Sequence, residues 1–357
     1  MKIGIVTFHK SHNYGALLQA IATRYVLVQM GHEVYYVDYW PEYKRDGYRI
    51  IPLQPLRRKS IFEKFSYLRR QLQTLCNSRR RYKSFIKFIN TYIQPFCKSQ
   101  YETFDIVIYG SDQIWRKDLK YGGYDFHYFG GDWIKASRHV SYAASAGILP
   151  SEHKDVVKFR ELLRGLDIIT VREKSLQNYL ESIGQKDCQV VLDPTLLLGI
   201  SGWNSIFPIR NTRNKKYVLV YLLHNNVFDM FSITNFAHSI NCEVVTLFGK
   251  AIAKEKHNEF STVGPAEFVD LIRDAEVVFS SSFHGLVFSI IYEKQFYVSM
   301  KDNLDRVKSL LNYLDINGRL LSPGCKVPVE NCNIDYINVN NKLNVLKQTS
   351  LDFLSQL

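Results

Sequence analysis

AEVVFSSSFHGLVFSII, residues 275–291, is the stretch that decides the fold. Ala275–Phe279 is an apolar run suited to a buried parallel strand. Ser280-Ser281-Ser282 is a small polar turn, and Leu286–Ile291 continues as an apolar helix. A strand that feeds a helix through a tight turn is the unit from which open α/β sheets are built. The turn sets His284 beside the first free amides of that helix, where the N–H groups and the helix dipole favour an anion. Two readings follow: a capped helix start with a packed imidazole, or a proton-transfer group at an anion site.

The same alternation runs through the rest of the chain. Before it come strands at Ile3–Phe8, Glu33–Asp38, Phe104–Tyr109, His139–Ala144, Leu166–Val171 and Gln189–Leu192. Helices are expected at Tyr14–Met30, capped by Asn13 and stopped by Gly31, and at Ser84–Tyr92, His153–Arg164 and Lys174–Ile183. Turn formers at Gly199–Gly202 and Pro208–Lys216 read as a break. The pattern then restarts with strands at Tyr217–Leu223, Glu243–Phe248 and Gln295–Met300. Its helices are Val227–Ser239, Pro265–Asp274 and Asn303–Leu314. The expectation is two doubly wound, Rossmann-like α/β domains. Their bounds are 1–205, with a basic helical insertion at about 44–92, and 206–340, followed by a closing helix over 341–357.

Composition narrows the function. At 357 residues, 46% hydrophobic and 22% charged, the chain suits a globular protein of two domains. No apolar run reaches the ~20 residues that span a bilayer, and the N-terminus enters a strand directly, so cytoplasmic residence is expected. Six cysteines, at 76, 97, 188, 242, 325 and 332, form no CxxC pair, and no metal-ligand spacing is present. The net charge of +12 is carried wholly by the segment 44–87, with fourteen Lys/Arg against Asp46 and Glu63. There Ile61, Phe65, Leu68, Leu72 and Leu75 recur at helical spacing among Arg57, Arg58, Lys64, Arg69 and Arg70. That pattern is either a solvated helix or one that contacts an anionic membrane surface or substrate. No nucleic-acid motif accompanies it.

In doubly wound sheets, ligands sit beyond the carboxyl ends of the strands, and the distinctive polar residues fall there. Asn13-Tyr14-Gly15 opens a helix after the first strand. At Gly110-Ser111-Asp112, Asp112 either accepts a sugar hydroxyl or caps its turn, and nearby Trp115 either offers a face or fills the core. Arg172 either grips a carboxylate or phosphate or sits in an ion pair with Glu173 or Asp193. Asp193, before Pro194, either orients Arg172 or caps the next segment. Arg306 faces the cleft near His284 or the surface.

In order along residues 3–320, NYGALLQ (13–19), GSDQIW (110–115), VRE (171–173), DPTLL (193–197) and SFHG (282–285) resemble the polysaccharide pyruvyl transferase family. The resemblance implies two Rossmann-like domains across a cleft, as in GT-B enzymes. It implies transfer of pyruvate from phosphoenolpyruvate to sugar hydroxyls as a ketal, in capsule, exopolysaccharide or cell-wall polymer. Phosphoenolpyruvate would be a co-substrate, with no cofactor and no metal. The acceptor would be a sugar or a lipid-linked oligosaccharide. Carried over by position, Arg172 binds the donor and His284 sits at the reaction centre. Ser282, Gly285 and Arg306 are assigned to the donor, Asp112 to catalysis, and Asn13, Tyr14, Gly15, Gly110, Ser111 and Trp115 to the acceptor. Many members carry Arg where this chain has Ser282. The same residues also admit a nucleotide-sugar glycosyltransferase, or a glycan-binding protein without turnover.

Overall fold

The computed structural model describes residues 1–50, 60–118, 121–185, 187–210, 215–224, 227–302, 304–327 and 333–357. Within them, strands form two wholly parallel sheets. The first holds β1 (Lys2–Val6), β2 (Glu33–Val37), β3 (Cys97–Lys98), β4 (Thr103–Tyr109), β5 (Lys135–Ala144), β6 (Ile168–Val171) and β7 (Gln189–Val190). Its spatial order is β3-β2-β1-β4-β5-β6-β7. The second holds β8 (Tyr217–Leu222), β9 (Glu243–Phe248), β10 (Glu259–Phe260), β11 (Val277–Ser280) and β12 (Gln295–Val298), in the order β10-β9-β8-β11-β12. Each sheet starts at an inner strand, winds outward, and returns to wind the other way. The reversals lie between β1 and β4 and between β8 and β11, the crevices where such sheets hold ligands. The pair of Rossmann-like, GT-B-like sheets expected from the sequence is therefore present.

Helices cover both faces of each sheet, so the inner strands are apolar on both sides; every residue of β11 is buried. The helix Tyr14–Gln29 is buried almost all round, from Tyr14 to Thr23 without interruption, because it lies between the sheets rather than on the surface. Asn13 Oδ1 caps it by accepting from the Ala16 amide at 3.3 Å. The Tyr14 ring stacks on Phe268 at 4.6 Å, and its hydroxyl donates to the Val263 carbonyl at 3.0 Å. These contacts join the two halves in one apolar core.

Several elements depart from expectation. The basic insertion and the helix expected at Ser84–Tyr92 are one helix, Ile61–Tyr92, of 32 residues, opened by a Ser60–Glu63 capping box. At 1.5 Å per residue it is about 48 Å long. Its second half staples the domains: Asn77 donates to the Ile252 carbonyl, Arg81 to that of Ser261 and Ser84 to that of Thr262. Its first half leaves Phe62, Phe65 and Leu72 exposed, at 88%, 73% and 65%. Gly199–Gly202, read as part of a break, instead opens the helix Gly199–Ile206. Trp203 anchors it, wholly buried with Nε1 donating to the Thr195 carbonyl at 2.9 Å. The helix expected from Val227 starts at Met230 because Asp229 caps it. The closing helix starts earlier than expected, at Tyr336, behind the Asp335 cap, and runs to Ser355. It returns to the first sheet, where Ser350 Oγ accepts from the Leu192 amide at 2.9 Å. Strands β3 and β10, two residues each, are too short to show a periodicity. Arg57, Arg58, Asn303, Cys332 and the side chain of Ile61 lie outside the described residues. Among those described, no helix is long and apolar enough to cross a membrane.

Candidate active site between the two sheets

Asp193, 1% exposed, is the hub. It follows β7 and caps the Pro194–Leu197 turn: its Oδ1 accepts from the Thr195 amide at 3.0 Å and from Thr195 Oγ1 at 2.6 Å. That leaves Oδ2 facing the cleft. It accepts from Arg172 Nη1 at 2.6 Å and from Ser111 Oγ at 3.2 Å, and His284 Nε2 stands 3.6 Å away. The last distance is an ion-pair separation rather than a hydrogen bond. Burial pushes the Asp193 carboxyl up, but His284, Arg172 and Thr195 together outweigh it and hold the group well below the usual carboxylate range.

Each partner is positioned by its own element. Arg172 ends β6. Burial works against its charge, yet Glu173 and Asp193 raise its pKa further, so it is held as a cation. Its Nε donates to Glu173 Oε1 at 3.3 Å. Ser111 is fixed through its amide, which donates to Gln19 Oε1 at 2.9 Å, while Gln19 Nε2 donates to Thr7 Oγ1 at 2.8 Å. A side chain at Gly110 would strike the Tyr142 carbonyl, at 2.0 Å, so the turn requires glycine. His284 lies in the first turn of the helix Phe283–Ile291, whose start Ser282 leaves without a side-chain cap. A Cβ at Gly15 would sit 1.9 Å from His284 Nδ1. The N-terminal domain therefore presses bare backbone against the imidazole of the C-terminal one.

Arg306 completes the cluster. Its guanidinium and that of Arg172 lie against the Phe283 ring, at 5.2 and 5.0 Å. Arg306 Nε is 4.0 Å from Glu173 Oε1. Burial, then the like charge of Arg172, pulls its pKa down to about 10, so it stays protonated at neutral pH. Three buried nitrogens here have no hydrogen-bond partner among the described residues: Arg172 Nη2, Arg306 Nε and His284 Nε2. Arg172, Asp193, Phe283 and Arg306 line a pocket of about 620 Å³, a size typical of small-ligand sites.

Of the residues singled out in the sequence, the structure brings Arg172, Ser111, His284 and Arg306 together around Asp193, with Gly15 against the imidazole. Asp112 is partly exposed nearby; its Oδ1 accepts from the Gln113 amide at 2.7 Å and its charge acts on both arginines. Gly285 packs on Ser280 and Tyr221. Trp115 does not reach the cleft: it is fully buried, with Nε1 donating to the Tyr128 carbonyl and its ring stacked on Phe129. Tyr14 is likewise committed to the domain junction, and Asn13 to its cap. Thr195, Gln19 and Arg81 were given no role from the sequence. The roles of Gln19 and Arg81 depend on contacts 12 to 180 residues away, which no local pattern marks.

A charged cluster thus lies between two parallel α/β sheets, with the guanidiniums of Arg172 and Arg306 lining a pocket at their junction. A sequence model of the polysaccharide pyruvyl transferase family matches residues 13–299, and the chain belongs to that family. No curated protein matches it in sequence. Among solved structures it is similar to UDP-GlcNAc 2-epimerase from Neisseria meningitidis bound to UDP-GlcNAc. That match is 12% identical, covers 100% of this chain and 93% of that one, and has a TM-score of 0.43. It is also similar to the glycosyltransferase SnogD from Streptomyces nogalater, at 12% identity, 100% and 98% coverage and a TM-score of 0.42.

Proposed function

We propose that the protein transfers the pyruvyl group of phosphoenolpyruvate to two hydroxyls of one sugar in an envelope or extracellular polysaccharide. The observation that carries this is the set of three unpartnered buried nitrogens, Arg172 Nη2, Arg306 Nε and His284 Nε2, at an uncapped helix start. Phosphoenolpyruvate brings a phosphate and a carboxylate, and two guanidiniums with free N–H groups suit that pair of anions. Arg306 supplies the second cation that many family members place where Ser282 stands.

In the reaction, a proton is delivered to the methylene carbon and a sugar hydroxyl attacks the adjacent carbon. The C–O bond to phosphate breaks, and the second hydroxyl closes the ketal. Of the two hydroxyl protons, one balances that added to the methylene and the other leaves with phosphate. His284 Nε2 carries the proton, and Asp193 stabilises the imidazolium. Arg172 and Arg306 offset the charge that grows on the departing phosphate. Asp112, at the cleft edge, contacts the acceptor hydroxyl. The chemistry calls on no cofactor.

The acceptor is a sugar or lipid-linked oligosaccharide met at the cytoplasmic membrane face. Exposed Phe62, Phe65 and Leu72 beside Lys64 and Arg69 support contact with an anionic bilayer surface. Cosedimentation with phosphatidylglycerol vesicles but not phosphatidylcholine vesicles is the expected outcome, and equal sedimentation with both would refute the contact. For the chemistry, phosphate release from phosphoenolpyruvate with a host envelope glycan fraction should be lost in His284→Ala while the circular dichroism is unchanged. Unchanged turnover in that variant removes His284 from the reaction.

A further inference from the structure

A second pocket, of about 630 Å³, opens where β1 and β2 end, against the second half of the long helix. We propose that it is the acceptor subsite and that it selects a glycan carrying negative charge, a sugar phosphate or a uronate. This rests on pyruvyl transfer to a glycan as the reaction.

Its place in the fold links it to the reaction centre. The loop after β1 gives Lys10 and His12 to this pocket and, three residues past His12, the helix it opens gives Gly15 to the contact with His284. Three Cα steps span at most about 11 Å, so a glycan seated here lies close to the imidazole.

Its walls are aromatic. Trp40 and Tyr48 stack at 5.9 Å, and the His12 ring lies 5.2 Å from Tyr48 and 5.1 Å from Tyr82. Burial, then Arg81, pushes His12 down to about 4, so it is a neutral ring at pH 7. Flat faces of this kind pack against the apolar sides of sugar rings, and Asn90 adds an amide to meet hydroxyls.

Its charge is positive: Lys10, Arg45 and Arg49 line it against the single carboxylate of Asp38. Lys10 Nζ is held 2.5 Å from Asp38, but the two exposed arginines have long contacts: Arg49 Nη1 is 3.4 Å from Asp46, and Arg45 Nη2 donates to the Trp40 carbonyl at 3.4 Å. Exposed pairs contribute little to stability, so these two arginines exchange partners readily when an anion enters. A neutral sugar would use the rings and leave the cations idle; a charged one uses both.

Trp40 provides the probe, since it lines the pocket, whereas Trp115 and Trp203 are fully buried elsewhere and Trp133 packs on Tyr39 and His127 outside the lining. The full chain, without phosphoenolpyruvate, is titrated with glucose, glucuronate and glucose 1-phosphate while tryptophan fluorescence is followed. At least one charged sugar should bind about tenfold or more tighter than glucose. Trp40→Phe should abolish the signal, and the double variant Arg45→Ala, Arg49→Ala should reduce the charged sugar to the affinity of glucose. Preference for glucose 1-phosphate assigns the charge to a phosphate linkage, and preference for glucuronate assigns it to the sugar itself. Equal binding of all three, no binding, or loss of binding in Arg306→Ala rather than in the double variant overturns the proposal. The last of these would put the anion in the junction pocket. Because the donor is absent, failure of phosphoenolpyruvate to bind in its own titration refutes the donor without altering these outcomes.

Discussion

At the domain junction Arg172 is 7% exposed and its Nη1 is 2.6 Å from a carboxylate that is itself 1% exposed. In the pocket beyond β1 and β2, Arg45 and Arg49 are exposed, and the nearer carboxylate contact of Arg49 is 3.4 Å. Both pockets hold cations, but only the junction fixes its guanidiniums. Buried guanidiniums locked by carboxylates present their remaining N–H groups in one geometry, as a small, invariant anion requires. Exposed cations on an aromatic wall adapt, as a variable glycan requires. Under the proposed function, the two pockets divide the work of a transferase between a rigid donor seat and an adjustable acceptor seat.

Substitutions at the two pockets should therefore differ most in stability. Asp193→Asn removes the closer of the two carboxylates that balance buried Arg172 and leaves Glu173 alone to do so, and a loss of about 3–5 kcal/mol in urea unfolding is expected. Because the folded pKa of Asp193 is depressed, its contribution is complete above about pH 3.9 and fades as pH falls further. The variant should show a flatter acid limb than the native chain. Gly15→Ala forces the imidazole away from a Cβ that would lie 1.9 Å from Nδ1. A loss of about 10²-fold in turnover with intact folding is expected, since displacing a catalytic group by about 1 Å costs that much. Arg306→Ala should raise the half-saturating phosphoenolpyruvate concentration roughly 10- to 100-fold, the effect of one charge-assisted hydrogen bond. The smallest effect belongs to the outer pocket. Arg45→Ala with Arg49→Ala should change stability by no more than about 0.5 kcal/mol, measured in the same urea series. A large loss there, or none in Asp193→Asn, would erase the contrast.

Much of the architecture was legible because the strands of buried parallel sheets are continuous apolar runs. Glu243–Phe248 was bounded to the residue. Gly199–Ile206 was not, because two glycines and a serine argue for a turn while the burial of Trp203, a tertiary contact, decides for a helix. Position at a strand end singled out His284, Arg172 and Ser111, which the structure gathers around Asp193. It did not distinguish Trp115, whose place in the core is set by Tyr128 and Phe129. Asp193 read as either a cap or an orienting group, and the structure uses one oxygen for each: Oδ1 for Thr195 and Oδ2 for Arg172. The charge run at 44–87 likewise has two fates. Arg81 is an internal staple between the domains, while Lys64, Arg69 and Arg70 remain on the surface.

The donor seat is the central claim, and calorimetric titration of the intact protein with phosphoenolpyruvate tests it most directly. Saturable binding is expected in the native chain, strongly weakened in Arg306→Ala and not displaced by UDP-GlcNAc. Absence of phosphoenolpyruvate binding, with UDP-GlcNAc bound in its place and lost in Arg306→Ala, would contradict the account and make the junction a nucleotide-sugar site.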